Sequence, residues 1–141
     1  MSSNPENHVG YLIQQISHLL EQRFNKNLAN EDLSLSHARV IYLLYKNDGI
    51  TQSELQQDLL IKASSITKLI DVLAAKGLVK REASSKDARI KRIYLTEEGR
   101  KKEEILCTIK EETETTLLHS LAEADRNVLI HSLKAIKMTL L

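Results

Sequence analysis

The chain has 141 residues, 42% of them hydrophobic and 28% charged, with 20 Lys and Arg against 19 Asp and Glu for a net charge of +1. That length fits one domain with enough apolar residues for a core, which excludes disorder as the global state. Four glycines, one proline and 4% aromatics exclude a many-stranded sandwich or barrel, which needs turn residues at short intervals; taken as an average, the near-zero charge argues against nucleic acid, whose phosphates call for a basic domain.

The first predicted element is a long helix. Val9, Leu12, Ile13, Ile16, Leu19, Leu20 and Phe24 recur at helical spacing, with Leu28 one turn on. A second helix is expected from near Ser36, with Ala38, Ile41, Leu44 and Tyr45 on one face and Gly49 as its stop. Thr51-Gln52-Ser53-Glu54 then matches a capping box, in which Thr51 accepts from the Glu54 amide and Glu54 reaches back. The short helix it opens turns Leu55 and Leu59 inward.

A third helix is expected over Ala63 to Lys76, ending at Gly77. Ile66, Leu69, Ile70 and Leu73 form its core stripe, and Ser64, Lys68, Asp71 and Ala75 the opposite face. Two short helices about four residues apart, the second with a small and polar outer face, form the pattern of a helix-turn-helix. The period then changes to that of strands at residues 78–82 and 92–96, joined by the polar, basic, turn-forming stretch 83–91. A basic-tipped hairpin directly after a recognition helix describes a winged helix-turn-helix.

The remainder reads as helix. Thr96 is an N-cap with Glu97 and Glu98 in the first turn, where the helix dipole favours acids, and that helix runs to about Leu118. A last helix spans about Glu123 to Leu140, carrying Val128, Leu129, Leu133, Ile136 and Leu140. The long terminal helices are amphipathic and lie outside the central unit, so their apolar stripes need cover. They either pack against each other and a second copy, or fold back on the central unit; a twofold dimer is the preferred reading. The fold class is thus mainly α with a small β-hairpin: a winged helix-turn-helix at about residues 34–99, with long N- and C-terminal dimerisation helices at about 6–30 and 100–141.

Three segments together resemble the MarR family of transcription regulators. They are Ile50-Thr-Gln-Ser-Glu-Leu, Ser65-Ile-Thr-Lys-Leu-Ile-Asp-Val-Leu-Ala-Ala-Lys-Gly-Leu-Val, and Lys86-Asp-Ala-Arg-Ile-Lys-Arg-Ile-Tyr-Leu-Thr-Glu-Glu-Gly99. The most specific part is Asp87-Ala88-Arg89 followed by a strand and Leu95-Thr96-Glu97-Glu98-Gly99. The resemblance implies a homodimer on pseudo-palindromic double-stranded DNA, usually a repressor, with the recognition helix in the major groove and the wing tip in the adjacent minor groove. It also implies a small-molecule effector bound between the dimer helices and the winged helix, where Tyr11, His18, Arg39, Tyr42 and Tyr45 could supply polar handles.

The charge distribution supports that reading independently. Residues 61–102 hold twelve basic groups against five acids, a local +7, while the rest hold eight against fourteen, or −6. The candidate DNA contacts are Ser64, Ser65, Thr67 and Lys68 on the recognition helix, whose hydroxyls can bond base edges or phosphates and whose Lys68 can reach a guanine or a phosphate. No arginine lies on this face, so specificity leans on the wing, DNA shape and bound water. Arg89 suits a narrow minor groove, Lys86 and Lys91 suit phosphates, and Asp87 orients Arg89 or holds the turn. Asp71 on a DNA-facing stripe needs a cation nearby, and Arg81 is the expected one.

Other readings are weaker. Cys107, the only cysteine, could serve a redox-sensing regulator, though lone helical cysteines mostly pack. His8, His18, His37, His119 and His131 make no metal-ligand spacing. No cofactor and no enzymatic activity are expected, because no nucleophile–base pair, phosphate loop or metal motif is present. The rival class is a winged-helix protein–protein adaptor without DNA binding. No stretch of about 18 apolar residues calls for a membrane span. The opening Met1-Ser-Ser-Asn-Pro-Glu-Asn lacks the basic and apolar regions of a secretory signal, so a reducing cytoplasm is the expected location.

Overall fold

The computed structural model describes residues 4–141; residues 1–3, which open the stretch read above for a secretory signal, lie outside the described residues. The chain forms two compact units, one ending at Ile109 and one running from Lys110 to Leu141.

The first unit opens with a 3-10 turn at Pro5–Asn7, then α1 (Val9–Leu28) and a second 3-10 turn at Ala29–Glu31. Neither 3-10 turn carries a sequence signal strong enough to expect it. The apolar stripe of α1 falls where the spacing puts it, yet only Leu28 is buried, and Leu19 remains 62% exposed. Helix α2 (Leu35–Lys46) starts at the edge of its expected range because Ser34 forms the cap. The Ser34 amide donates to His37 Nδ1 at 3.1 Å, and the Leu35 amide donates to Asn25 Oδ1 at 2.9 Å, which ties this end to α1. Val40, Ile41 and Leu44 enter the core. Tyr45 does not share their burial: it is 55% exposed. It lies a further 100° around the helix from Leu44, and its phenol keeps a polar tip in water.

Helix α3 (Gln52–Leu59) is capped as its sequence dictates. The Glu54 amide donates to Thr51 Oγ1 and the Thr51 amide to Glu54 Oε2, both at 3.1 Å. The helix stops at Leu60, which takes the left-handed conformation at φ 56°. Helix α4 (Ala63–Ala75) buries Ile66, Ile70 and Leu73 and ends with Gly77 at φ 74°.

Strands β1 (Val79–Ala83) and β2 (Lys91–Leu95) form an antiparallel hairpin in which Val79 faces Leu95 and Ala83 faces Lys91. Each strand lies within one residue of its expected bounds. Residues 49–51 add a short third edge, with the Gly49 amide donating to the Ile93 carbonyl at 2.9 Å and the Ile93 amide to the Ile50 carbonyl at 3.0 Å. Helix α5 (Glu97–Leu117) begins at Thr96, whose hydroxyl donates to the Gly77 carbonyl at 2.6 Å and accepts from the Gly99 amide at 3.1 Å. The core of this unit joins Leu28 of α1, the inward faces of α2, α3 and α4, and Ile93 of the hairpin.

The second unit holds the rest of α5 and α6 (Glu123–Leu140). Glu123 and Asp125 occupy the first turn of α6, favoured by the dipole there. No residue of α6 is buried, and Val128, Met138 and Leu140 stand well exposed. Among the described residues, no helix is long and apolar enough to cross a membrane.

Candidate nucleic-acid interface

The whole +7 segment lies in the first unit, so its charges can be taken one by one. Seven of its basic groups pair with carboxylates. Lys76 meets Asp32, Lys102 meets Glu31 at 2.9 Å, and Arg100 meets Asp48 at 2.8 Å. Lys80 meets Glu82, Lys101 meets Glu98, Arg81 meets Asp71 at 2.6 Å, and Arg89 meets Asp87. The expected cation for Asp71 is therefore Arg81. The guanidinium of Arg92 donates to the Gly49 carbonyl at 2.9 Å. Among the described residues, Lys62, Lys68, Lys86, Lys91 and Arg92 are the basic groups of this segment with no carboxylate partner. Lys62 precedes α4 and Lys68 lies on its outer face, Lys86 and Lys91 flank the wing tip and Arg92 follows on β2, so the uncompensated charge concentrates on α4 and the wing.

Ser64, Ser65, Thr67 and Lys68 are all exposed on the first half of α4. The N-cap residue is Lys62, and no side chain caps this end. Its outward amides and the positive end of the helix dipole therefore present a ready anion site beside the Lys62 ammonium. Thr67 differs from its neighbours. Its hydroxyl donates to the Ala63 carbonyl at 3.0 Å and accepts from Gln52 Nε2 at 2.9 Å, so its proton is committed within the protein.

The wing tip is a built turn. The Ser84 amide donates to the Ile90 carbonyl at 2.8 Å, and the Ile90 amide to the Asp87 carbonyl at 3.0 Å. Asp87 Oδ1 accepts from the Arg89 amide at 3.0 Å and from Arg89 Nε at 3.2 Å, while Oδ2 accepts from Nη2 at 3.2 Å. The Arg89 side chain, then its amide, holds the Asp87 carboxyl below the usual carboxylate range. The aspartate thus both closes the turn and fixes the guanidinium plane, with the Arg89 side chain 91% exposed. A cleft of about 370 Å³, lined by Thr51, Gln52, Ser53, Arg89, Ile90 and Lys91, separates the wing tip from α3. Gln52 lines this cleft and bonds Thr67, so it links the wing side of the surface to α4.

Sequence reasoning missed Lys62 and Gln52. Lys62 precedes the helix and reads as ordinary loop charge. Gln52 sits inside the capping motif, and its bond to Thr67 crosses fifteen positions of sequence.

Of the residues proposed for an effector, Tyr11 and His18 lie on α1 and Arg39, Tyr42 and Tyr45 on α2. Tyr11 bonds Gln15 on its own helix, and Tyr42 faces Lys46 at 5.7 Å. Arg39 lines a cavity of about 20 Å³ with Ser36, Leu59, Ile61 and Leu69, room for about one water. Cys107 is half-buried on α5. Among the described residues, no group of three or more His, Cys, Asp or Glu is placed to hold a metal ion.

Comparison with known proteins gives a consistent result. A family model described as MarR family matches residues 31–90, which span α2, the helix-turn-helix, β1 and the wing tip. The chain is 30% identical over 120 residues to YdgJ of Bacillus subtilis (strain 168), described as an uncharacterized HTH-type transcriptional regulator, covering 85% of this chain and 71% of that one. It is 28% identical over 89 residues to the HTH-type transcriptional repressor IacR of Pseudomonas putida, covering 63% of this chain and 53% of that one. Among solved structures, it superposes on MepR of S. aureus in complex with DNA at a TM-score of 0.88 and 28% identity, over 94% of this chain and 98% of that chain.

Proposed function

The chain belongs to the MarR family, and from that premise we propose that it is a sequence-specific DNA-binding transcriptional regulator. It acts as a homodimer on a pseudo-palindromic operator, represses, and is released by a small-molecule effector. Residues 34–99 are the DNA-binding unit, and residues 6–30 and 100–141 supply the dimerisation helices. The exposed apolar stripes of α1 and α6 support a dimer, because faces of that kind need cover.

One observation carries the reading. The unpaired cations of a +7 segment collect on α4 and the wing, the two elements a winged helix presents to adjacent grooves, and the MepR relative is a DNA complex. In this account Ser64, Ser65, Thr67 and Lys68 face the major groove, with Lys68 free to reach a guanine or a phosphate. Arg89 enters the minor groove, its plane set by Asp87, and Lys86 and Lys91 meet phosphates. The name of the IacR relative supports repression. The protein carries out no catalysis, uses no cofactor and works in the cytoplasm.

The test is an electrophoretic mobility titration with the DNA upstream of the protein's own gene, in excess unrelated competitor. A discrete retarded complex that survives competitor supports the reading. A complex that competitor removes at equal mass sinks sequence-specific binding, and no retarded complex at all favours the adaptor role.

A further inference from the structure

The turn of α4 between Thr67 and Asp71 is held from two sides by side chains of two other elements. From α3, Gln52 Nε2 donates to Thr67 Oγ1 at 2.9 Å. From β1, Arg81 Nη2 donates to the Thr67 main-chain carbonyl at 3.2 Å and pairs with Asp71 Oδ1 at 2.6 Å. Thr67 in turn donates to the Ala63 carbonyl at 3.0 Å, so Gln52 holds a hydroxyl that is itself fixed to the helix.

Apolar packing and these bonds do different jobs. Ile66, Ile70 and Leu73 press α4 onto the core, but the hydrophobic effect is non-directional and sets separation better than rotation. Hydrogen bonds weaken steeply with angle and distance. A roll or slide of α4 against α3 breaks the Gln52 bond, and one against the wing breaks the Arg81 bonds. The charge of Arg81 is already matched by Asp71, and Gln52 carries none, so neither adds net attraction for phosphate.

We infer that Gln52 and Arg81 are specificity-determining positioning residues, which fix the rotation of α4 in the major groove by gripping its Thr67–Asp71 turn. The inference rests on α4 being the helix that reads DNA. Base edges are read only by groups held within hydrogen-bond geometry, whereas phosphate attraction is longer in range and tolerant of small misplacement. Loosening the grip therefore removes discrimination and leaves general affinity in place.

The experiment uses the full-length protein and two duplexes at one salt concentration. One is the best sequence the wild type enriches from a random duplex pool; the other is an unselected random duplex of equal length. Gln52→Leu and Arg81→Met are each expected to lower the ratio of the two affinities about tenfold, the worth of one misread base pair. Affinity for the random duplex should stay within about twofold in Gln52→Leu, which leaves charge and phosphate contacts untouched; Arg81→Met bares the Asp71 carboxylate and loses affinity on both duplexes, so there the ratio alone is read. Arg81→Lys keeps the charge but lacks the planar fork that bridges a carbonyl and a carboxylate, so it should fail to restore the ratio. A ratio left unchanged in Gln52→Leu and Arg81→Met, whether or not both affinities fall, or full rescue of the ratio by lysine, overturns the inference. If Arg81→Met does not fold, Gln52→Leu decides alone, since Gln52 stands at the rim of the fold. A wild type that enriches no sequence at all refutes the DNA-reading function itself, a separate failure from the one tested by the variants.

Discussion

The carboxylate of Asp87 holds Arg89 by three hydrogen bonds, at 3.0, 3.2 and 3.2 Å, while leaving that arginine's side chain almost wholly in solvent. A guanidinium aimed outward by a bidentate partner enters a groove with little rotamer freedom left to lose. Arg89→Ala should weaken operator binding by about 1–3 kcal/mol and leave the melting temperature unchanged. A fluorescence anisotropy titration with unaltered affinity removes Arg89 from the interface.

The cap of α2 predicts a dependence on pH. Burial first, then the nearby Lys76 ammonium, pushes the His37 imidazole below its usual range, with Asp32 opposing. His37 Nδ1 must be unprotonated to accept from the Ser34 amide. The unfolded chain therefore binds this proton more readily than the folded one. The stability from neutral His37 is fully present above about pH 6.5 and is lost as pH falls from there through the lowered folded value. The wild type should melt lower at pH 5.5 than at pH 7.5, and His37→Asn should shrink that difference. An equal difference in both proteins assigns the effect to other groups.

Leu60 closes α3 in the left-handed region while its side chain is 67% exposed. A β-carbon costs about 1–2 kcal/mol in that conformation. Leu60→Gly relieves that strain and forfeits little burial, although glycine gives back part of the gain as unfolded-state entropy. The expected outcome is a gain in stability of order 0.5–1 kcal/mol, seen as a small rise in melting temperature. A fall shows that Leu60 packs in some way its exposure does not reveal.

Gly99 lies in the first turn of α5 against the hairpin. A β-carbon there would sit 2.2 Å from the Leu78 carbonyl oxygen and 2.9 Å from Leu95 Cδ2. The neighbour is backbone, so the helix must shift. Gly99→Ala should cost about 1–3 kcal/mol as overpacking, seen as a drop in denaturant midpoint. An unchanged midpoint means that α5 slides on the wing more easily than this geometry implies.

What the sequence disclosed depended on how local each feature is. The stripe Ile66, Ile70 and Leu73 and the capping pair Thr51 and Glu54 are fixed by spacing within one or two turns, so period and motif reveal them. The Arg81–Asp71 pair was legible for another reason: an acid on a basic stripe demands a cation, and few were near. The bond from Gln52 to Thr67 was not legible, because it depends on the angle at which α3 meets α4. The left-handed Leu60 was hidden because leucine gives no sign of positive φ. Tyr45 was misplaced because its position falls at the margin of the buried stripe, where an amphipathic ring can turn either way.

Two copies of this chain, acting together, should present α4 and the wing to one face of a duplex, and hydroxyl-radical footprinting on the selected operator shows whether they do. Two protected half-sites related by a pseudo-dyad are expected, with centres about 34–36 Å or one helical turn apart, or a multiple of that. Protection at minor-groove positions flanking each half-site should be lost in Arg89→Ala. A single unpaired footprint, or uniform protection with no register, would contradict that paired arrangement.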